Sequence, residues 1–160
     1  MRLLGFLFFY LPEKKAFAHC DIPCGIYDPN QAQLAAHTII RMTQLLKEIK
    51  QDDDLISDHS IARVTHVKEK HADIIEEELE TLRSDYFKDE HFKQYANLNE
   101  LFIKTLKAVS KARQNIDPEA GQEVLSGVQK IAEIFFKTKG VEPIRIKSVY
   151  PTGGEIVSYK

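Results

Sequence analysis

Residues 57–82 read SDHSIARVTHVKEKHADIIEEELETL, and the spacing of their apolar positions decides the fold. Ile61, Val64, Val67, His71, Ile74, Ile75, Leu79 and Leu82 recur mainly at steps of three and four. That is one buried stripe on a long amphipathic helix, with a single histidine in it. The spacing predicts a helix start near Ser57 or Asp58. Glu76-Glu77-Glu78 falls beside the stripe and reads as a solvated face. Upstream, Asp28-Pro29 is a helix-start signal, a capping acid followed by a proline that needs no N–H partner. Leu34, Ile39, Ile40, Leu45, Leu46 and Ile49 continue a first helix, which Asp52-Asp53-Asp54 closes as a solvated turn.

Downstream, Tyr86-Phe87 and Phe92 to Tyr95 form an aromatic connector. A third helix is predicted from about Asn97 to Asn115, with Leu98, Leu101, Phe102, Leu106, Val109 and Ala112 facing one way. Asp117-Pro118 repeats the cap-and-proline signal for a fourth, which carries Val124, Leu125, Val128, Ile131, Ala132, Phe135 and Phe136 and stops near Gly140. Four amphipathic helices with short connections imply an all-α, up-down four-helix bundle over residues 28–140. Residues 141–160 alternate weakly and read as a short hairpin or an extended arm, with Gly153-Gly154 as a turn.

The bulk properties exclude some functions. The chain has 160 residues, 22 Lys and Arg against 24 Asp and Glu, and a formal charge of -2. No basic stripe is present to neutralise phosphates, so no nucleic-acid partner is expected. The apolar run Leu3 to Leu11 is too short to cross a bilayer, which takes about 20 residues in a helix, so no membrane partner is expected. Ala16-Phe17-Ala18 follows this run, directly before His19. It matches a small-x-small processing site, and residues 1–18 read as a removable leader. Its loss removes Arg2, Lys14, Lys15 and Glu13, a net of +2, and takes the chain from -2 to -4.

Cys20 and Cys24 are the only cysteines. A disulfide scaffold would have more, spread along the chain; two thiols four positions apart point to one local site or a small local disulfide. Cleavage after Ala18 would leave a free amine on His19, next to Cys20. Residues 19–27 then form a hook that offers an amine, an imidazole, a backbone amide nitrogen and two thiolates. Pro23 turns the chain, and Gly25 lets the backbone leave it at low steric cost. Two nitrogens and two sulfurs in a plane with an axial imidazole make a tetragonal site, which selects nickel or copper over zinc.

His19-Cys20-Asp21-Ile22-Pro23-Cys24-Gly25-Ile26-Tyr27-Asp28-Pro29 resembles the mature N-terminus of the nickel-containing superoxide dismutases. The resemblance continues through Ser84-Asp85-Tyr86-Phe87-Lys88, His91-Phe92, Tyr95, Thr105-Leu106-Lys107-Ala108 and Asp117-Pro118, covering roughly residues 19 to 139. It implies a four-helix bundle and a nickel ion, one per subunit, held by His19, Cys20 and Cys24. Tyr27 would stand over the open face of the metal, Tyr86 would support Tyr27 and ordered water, and Asp21 would help hold the hook. It further implies a homohexamer, a leader-processing peptidase, and conversion of two superoxide ions and two protons to dioxygen and hydrogen peroxide by Ni(II)/Ni(III) cycling. A glutamate and an arginine brace the axial imidazole in better-known bacterial members; this chain has Ala35 and His71 there. His71 either takes over that hydrogen bond or is a half-buried helix histidine without a role.

Three rival readings are weighed: a C-x-x-x-C thiol redox module, a non-catalytic helical interaction protein, and a metal-sequestering terminus. The first lacks the βαβ surroundings of thioredoxin-like proteins, and the second leaves the hook unexplained. Kinetics of superoxide decay distinguishes the third. His37 and His91 read as surface or packing residues, and His59 and His66 lack a completing ligand set. The apolar leader leaves export open, but thiolates and nickel loading favour a reducing interior, and the chain is expected in the cytoplasm.

Overall fold

The computed structural model describes residues 25–50 and 54–160. Four long helices form the bundle: α1 (Asn30–Glu48), α2 (Leu55–Thr81), α4 (Leu98–Gln114) and α5 (Pro118–Thr138). Between α2 and α4 come a π-helical turn (Leu82–Tyr86) and a short helix α3 (Asp89–Gln94). Each long helix packs on its neighbours in chain order, and α5 closes the ring against α1. This is the predicted up-down arrangement. No described helix is long and apolar enough to cross a membrane.

The caps follow the local chemistry. Asp117 caps α5, accepting from the Glu119 N–H at 2.9 Å, whereas at α1 the N-cap is Pro29 rather than the expected Asp28, which sits one residue earlier and accepts from the Asn30 N–H at 2.7 Å. The second helix starts earlier than its apolar spacing predicts. Asp54 caps it, accepting from the Ser57 N–H at 2.7 Å, so the third acid of the supposed solvated turn is the true N-cap. Leu55 and Ile56 in its first turn are left exposed.

Ala32, Ala36, Ile39, Ala72, Ile75, Leu79, Leu98, Phe102, Val109, Val124, Val128 and Ile131 make up the dry centre. Small residues let the helices approach closely. A methyl at Gly127 of α5 would collide with Thr105 of α4, and one at Gly121 would lie 3.1 Å from Ile40 Cγ1 of α1. The first half of the α2 stripe is only half-buried, because the α2–α4 seam there is polar. Arg113 of α4 lies 2.7 Å from both Asp73 and Glu76 of α2. Lys68 of α2 is buried and donates to the carbonyls of Ala112 and Asn115 at 3.0 and 2.8 Å. Its ammonium thus satisfies the open carbonyl end of α4, where a cation is favoured. Glu76 is therefore an interhelical ion-pair partner rather than part of a plain solvated face.

The C-terminal extension is a hairpin. Strands β1 (Pro143–Lys147) and β2 (Glu155–Tyr159) pair antiparallel, with Arg145 opposite Val157. Gly153 and Gly154, at φ 63° and 76°, take the turn conformation that glycine tolerates best. Helix side chains complete the outer edge of β2. Gln33 of α1 donates to the Val157 carbonyl at 3.0 Å and accepts from its N–H at 2.7 Å. Gln129 of α5 donates to the Glu155 carbonyl at 2.6 Å. His37 is buried, 2.8 Å from the Thr152 hydroxyl and edge-on to Tyr150, so its expected packing role is correct.

Gln33→Ala leaves the Val157 N–H and carbonyl buried without partners. The expected loss is roughly 1–3 kcal/mol in urea unfolding. Burial holds the His37 imidazole below its ordinary value, partly offset by its bond to the Glu155 carbonyl. The unfolded chain therefore binds a proton near pH 6.5 that the folded chain resists. Stability is expected to fall as pH drops below about 6.5 in nickel-free protein, and less so in His37→Gln. Urea midpoints at pH 7.5 and 5.5 measure both.

Candidate metal centre

The hook residues His19, Cys20, Asp21 and Cys24 lie outside the described residues, which begin one position after the second thiol. Among the described residues no three His, Cys, Asp or Glu side chains are grouped to hold a metal. The geometry on view is therefore the platform from which the hook departs. Gly25 has φ 92°, and a Cβ there would meet nothing within 4 Å. The backbone angle, not crowding, is what favours glycine at this exit. Ile26 is 83% exposed, whereas Tyr27 is half-buried and packed on the core.

Tyr27 rests on Tyr86, with ring centroids 5.5 Å apart at an interplanar angle of 52°. The two predicted tyrosines are thus brought together across 59 residues of sequence. Tyr86 is the last residue of the π-turn, which the Phe87 N–H closes on the Leu82 carbonyl at 2.9 Å. The widened turn gives the Tyr86 ring its placement against α5; such insertions into helices recur at functional sites. Its phenol oxygen is 2.6 Å from Thr138 Oγ1, and that hydroxyl donates to the Phe135 carbonyl at 2.7 Å. A hydroxyl has one proton to give, so Tyr86 is the donor to Thr138. Burial pushes the Tyr86 phenol above its ordinary value, which keeps it protonated at neutral pH.

Three more rings lock Tyr86 in place. Phe135 lies 4.6 Å away, Phe87 5.0 Å away edge-on, and His91 stacks at 5.8 Å with only 12° between planes. The His91 ring is oriented in turn: its Nδ1 accepts from the Lys88 N–H at 3.0 Å. The Lys139 ammonium sits 4.8 Å from the Tyr86 centroid. Sequence reading missed Thr138 and Lys139, although a cation just before Gly140 is a helix-end signal.

A cleft of about 480 Å³ opens beside Tyr27, lined in part by Asp28, Gln31, Glu78 and Thr81. Glu78 is half-buried there, so only Glu77 of the acidic triplet matches the solvated-face reading. Burial raises the Glu78 carboxyl above its ordinary value, and the Glu77 and Asp28 charges raise it further. Ala35 is buried in the core and has no polar group to offer an imidazole. His71 Nδ1 lies 2.7 Å from the Val67 carbonyl, so Nδ1 is the donor there and Nε2 is the ring nitrogen left to meet another partner.

Comparison with known proteins decides the family. The model of the nickel-containing superoxide dismutases matches residues 14–139, from before the hook to the end of α5. The chain belongs to that family. It is 38% identical over 130 residues to the nickel superoxide dismutases of Streptomyces seoulensis and Streptomyces coelicolor (strain ATCC BAA-471 / A3(2) / M145), covering 81% of this chain and 95% of each relative. Its fold matches native nickel superoxide dismutase with a TM-score of 0.67 at 38% identity, over 76% of this chain and 99% of the other. The nickel-free structure of such a dismutase matches at 0.65 and 36%, over 72% and 99%. Membership makes this nickel-containing dismutase an oxidoreductase that acts on superoxide. The family match ends at Lys139, so the hairpin lies beyond it.

A raised carboxyl disfavours the folded state once it is ionised. Glu78→Gln is therefore expected to stabilise the nickel-free protein at pH 7, with the gain shrinking toward pH 4 as Glu78 protonates. Urea unfolding at the two pH values tests the sign.

Proposed function

We propose that residues 19–24, once freed from the leader, hold the nickel ion beside the Tyr27–Tyr86 pair, and that this pair forms the approach for superoxide. The observation that carries this is the meeting of the two tyrosines three residues after Cys24. The proposed donors are the amine and imidazole of His19, the amide nitrogen and thiolate of Cys20, and the thiolate of Cys24. This set suits nickel: two thiolates and a deprotonated amide donate strongly enough to sustain the higher oxidation state, and a nitrogen–sulfur plane fits tetragonal coordination. When bound, nickel supplies the one-electron redox chemistry that takes one superoxide to dioxygen and a second, with two protons, to hydrogen peroxide.

The chain's own residues shape access and proton supply. Tyr27 limits entry to small anions. Tyr86 holds Tyr27 from below, and its phenol oxygen retains lone pairs that can accept from ordered water, because its proton is engaged by Thr138. Asp21 helps hold the hook. His71, whose Nδ1 is committed to the Val67 carbonyl, would use its Nε2 to orient the His19 ring where the family's glutamate is replaced by Ala35. The assembly we propose is a homohexamer with one nickel per subunit, activated by a leader-processing peptidase. A reducing compartment, the cytoplasm, suits two free thiols.

The leader is the switch in this scheme. While residues 1–18 remain, His19 has an amide nitrogen in place of an amine. Uncleaved precursor given nickel is expected to show negligible superoxide decay, and cleavage before His19 to restore it. Cys20→Ser and Cys24→Ser are expected to abolish activity after cleavage. Stopped-flow superoxide decay with intact mass and metal analysis checks all three, and full activity with the leader attached would defeat the assignment.

A further inference from the structure

We propose that Glu78 is the proton relay of the site, passing protons from solvent through ordered water in its cleft to the peroxide formed beside Tyr27, an inference that rests on the Tyr27–Tyr86 pair being the approach to the metal. Each hydrogen peroxide formed consumes two protons, and superoxide brings none. A group that gives a proton and recovers it from water must therefore stand close to the approach.

The nearest phenol proton is already committed. Tyr86 donates to Thr138, and Thr138 donates to the Phe135 carbonyl. Glu78 is placed differently. It lines the cleft of about 480 Å³ together with Tyr27, Asp28, Gln31 and Thr81, and it is half-buried there. On the same helix Glu69, Asp73 and Glu76 are all held by Arg113. Among the described residues no hydrogen bond or ion pair engages the Glu78 carboxyl.

The charges around it are of one sign. Tyr27 and Asp28 face it from the segment before α1, and Glu77 adjoins it on α2. From α1 come Asn30 and Gln31, and from the π-turn Leu82, none of which titrates. Burial, then the Glu77 and Asp28 charges, raise the Glu78 carboxyl above its ordinary value. This brings it closer to neutral pH, where one group both holds and releases a proton readily. Such a carboxyl disfavours folding once ionised, a cost of the kind retained where activity needs the group.

No electron moves in the relay step. The Glu78 O–H bond breaks as a new O–H bond forms on an ordered water, which gives one of its own protons to the peroxide. The carboxylate recovers a proton from bulk water at the mouth of the cleft, and the cycle repeats for the second proton.

The test is stopped-flow superoxide decay between about pH 6 and pH 9 in processed, nickel-loaded protein, in light and heavy water. Glu78→Gln cannot carry the proton and is expected to fold, being the more stable protein. It is expected to lower kcat about tenfold, to leave kcat/KM within about twofold, and to raise the solvent isotope effect. In the parent, kcat is expected to rise as pH falls toward the raised Glu78 range, and in Glu78→Gln to stay flat. Added phosphate, a small proton carrier, is expected to restore kcat in Glu78→Gln, and Glu78→Asp to keep part of it. Glu80→Gln, exposed on the same helix, makes the same change in net charge and should leave kcat unchanged. A second readout needs no metal: in nickel-free protein the Tyr27 ring NMR resonances are expected to show a titration step above the ordinary carboxylate range, and to lose it in Glu78→Gln. Unchanged kcat, pH profile and phosphate response in Glu78→Gln, while Tyr27→Phe slows the reaction, overturn the relay and leave the approach standing. Full activity in both variants overturns the approach and the relay with it.

Discussion

One chain of hydroxyl hydrogen bonds organises the end of the bundle around Tyr86. The Tyr86 phenol donates to Thr138, and Thr138 donates to the Phe135 carbonyl. This ties the π-turn after α2 to the last turn of α5, two elements that are distant in sequence. Linked hydroxyls in a half-buried site polarise one another, so the arrangement is stiffer than two isolated bonds. Four side chains depend on it: Tyr27 rests on the Tyr86 ring, His91 stacks on it, Phe135 tilts into it, and Lys139 sits above it. The described residues begin at Gly25, directly before this platform, so the residues proposed to hold the metal adjoin a fixed point.

Polar contacts elsewhere set geometry more than they add stability. Arg113 and Lys68 occupy the α2–α4 seam, where an all-apolar stripe would have been the simpler solution. A buried lysine carries a desolvation cost, and burial lowers its ionisation from the ordinary value. Two carbonyls at the end of α4 offset that cost and fix the helix at a defined height. The hairpin is held by the same logic. Gln33 and Gln129 pair with the backbone of β2 as a neighbouring strand would, so an edge that could recruit another chain is covered instead. Because α1 and α5 both contribute, the hairpin also staples the helices that close the ring.

The bundle was legible because helical spacing needs only local information. Ile75 and Leu79 fall on the predicted stripe and are fully buried, and Asp117-Pro118 caps α5 as read. The reading failed where an acid had two local meanings. Asp54 serves as a cap rather than as part of a turn, and Glu76 and Glu78 are turned to Arg113 and to the cleft. A carboxylate's role depends on what faces it, and no spacing rule encodes that.

The sequence by itself determined the four helices, the cap of α5 and the family, because periodicity, capping chemistry and an eleven-residue hook motif are all contiguous along the chain. Only the tertiary structure decided that Tyr86 donates to Thr138, that Lys139 sits over the Tyr86 ring, and that Gln33 completes the edge of β2. Each of those facts joins residues 50 or more positions apart. Their energies arise only after the core has closed and water has left the surfaces between them.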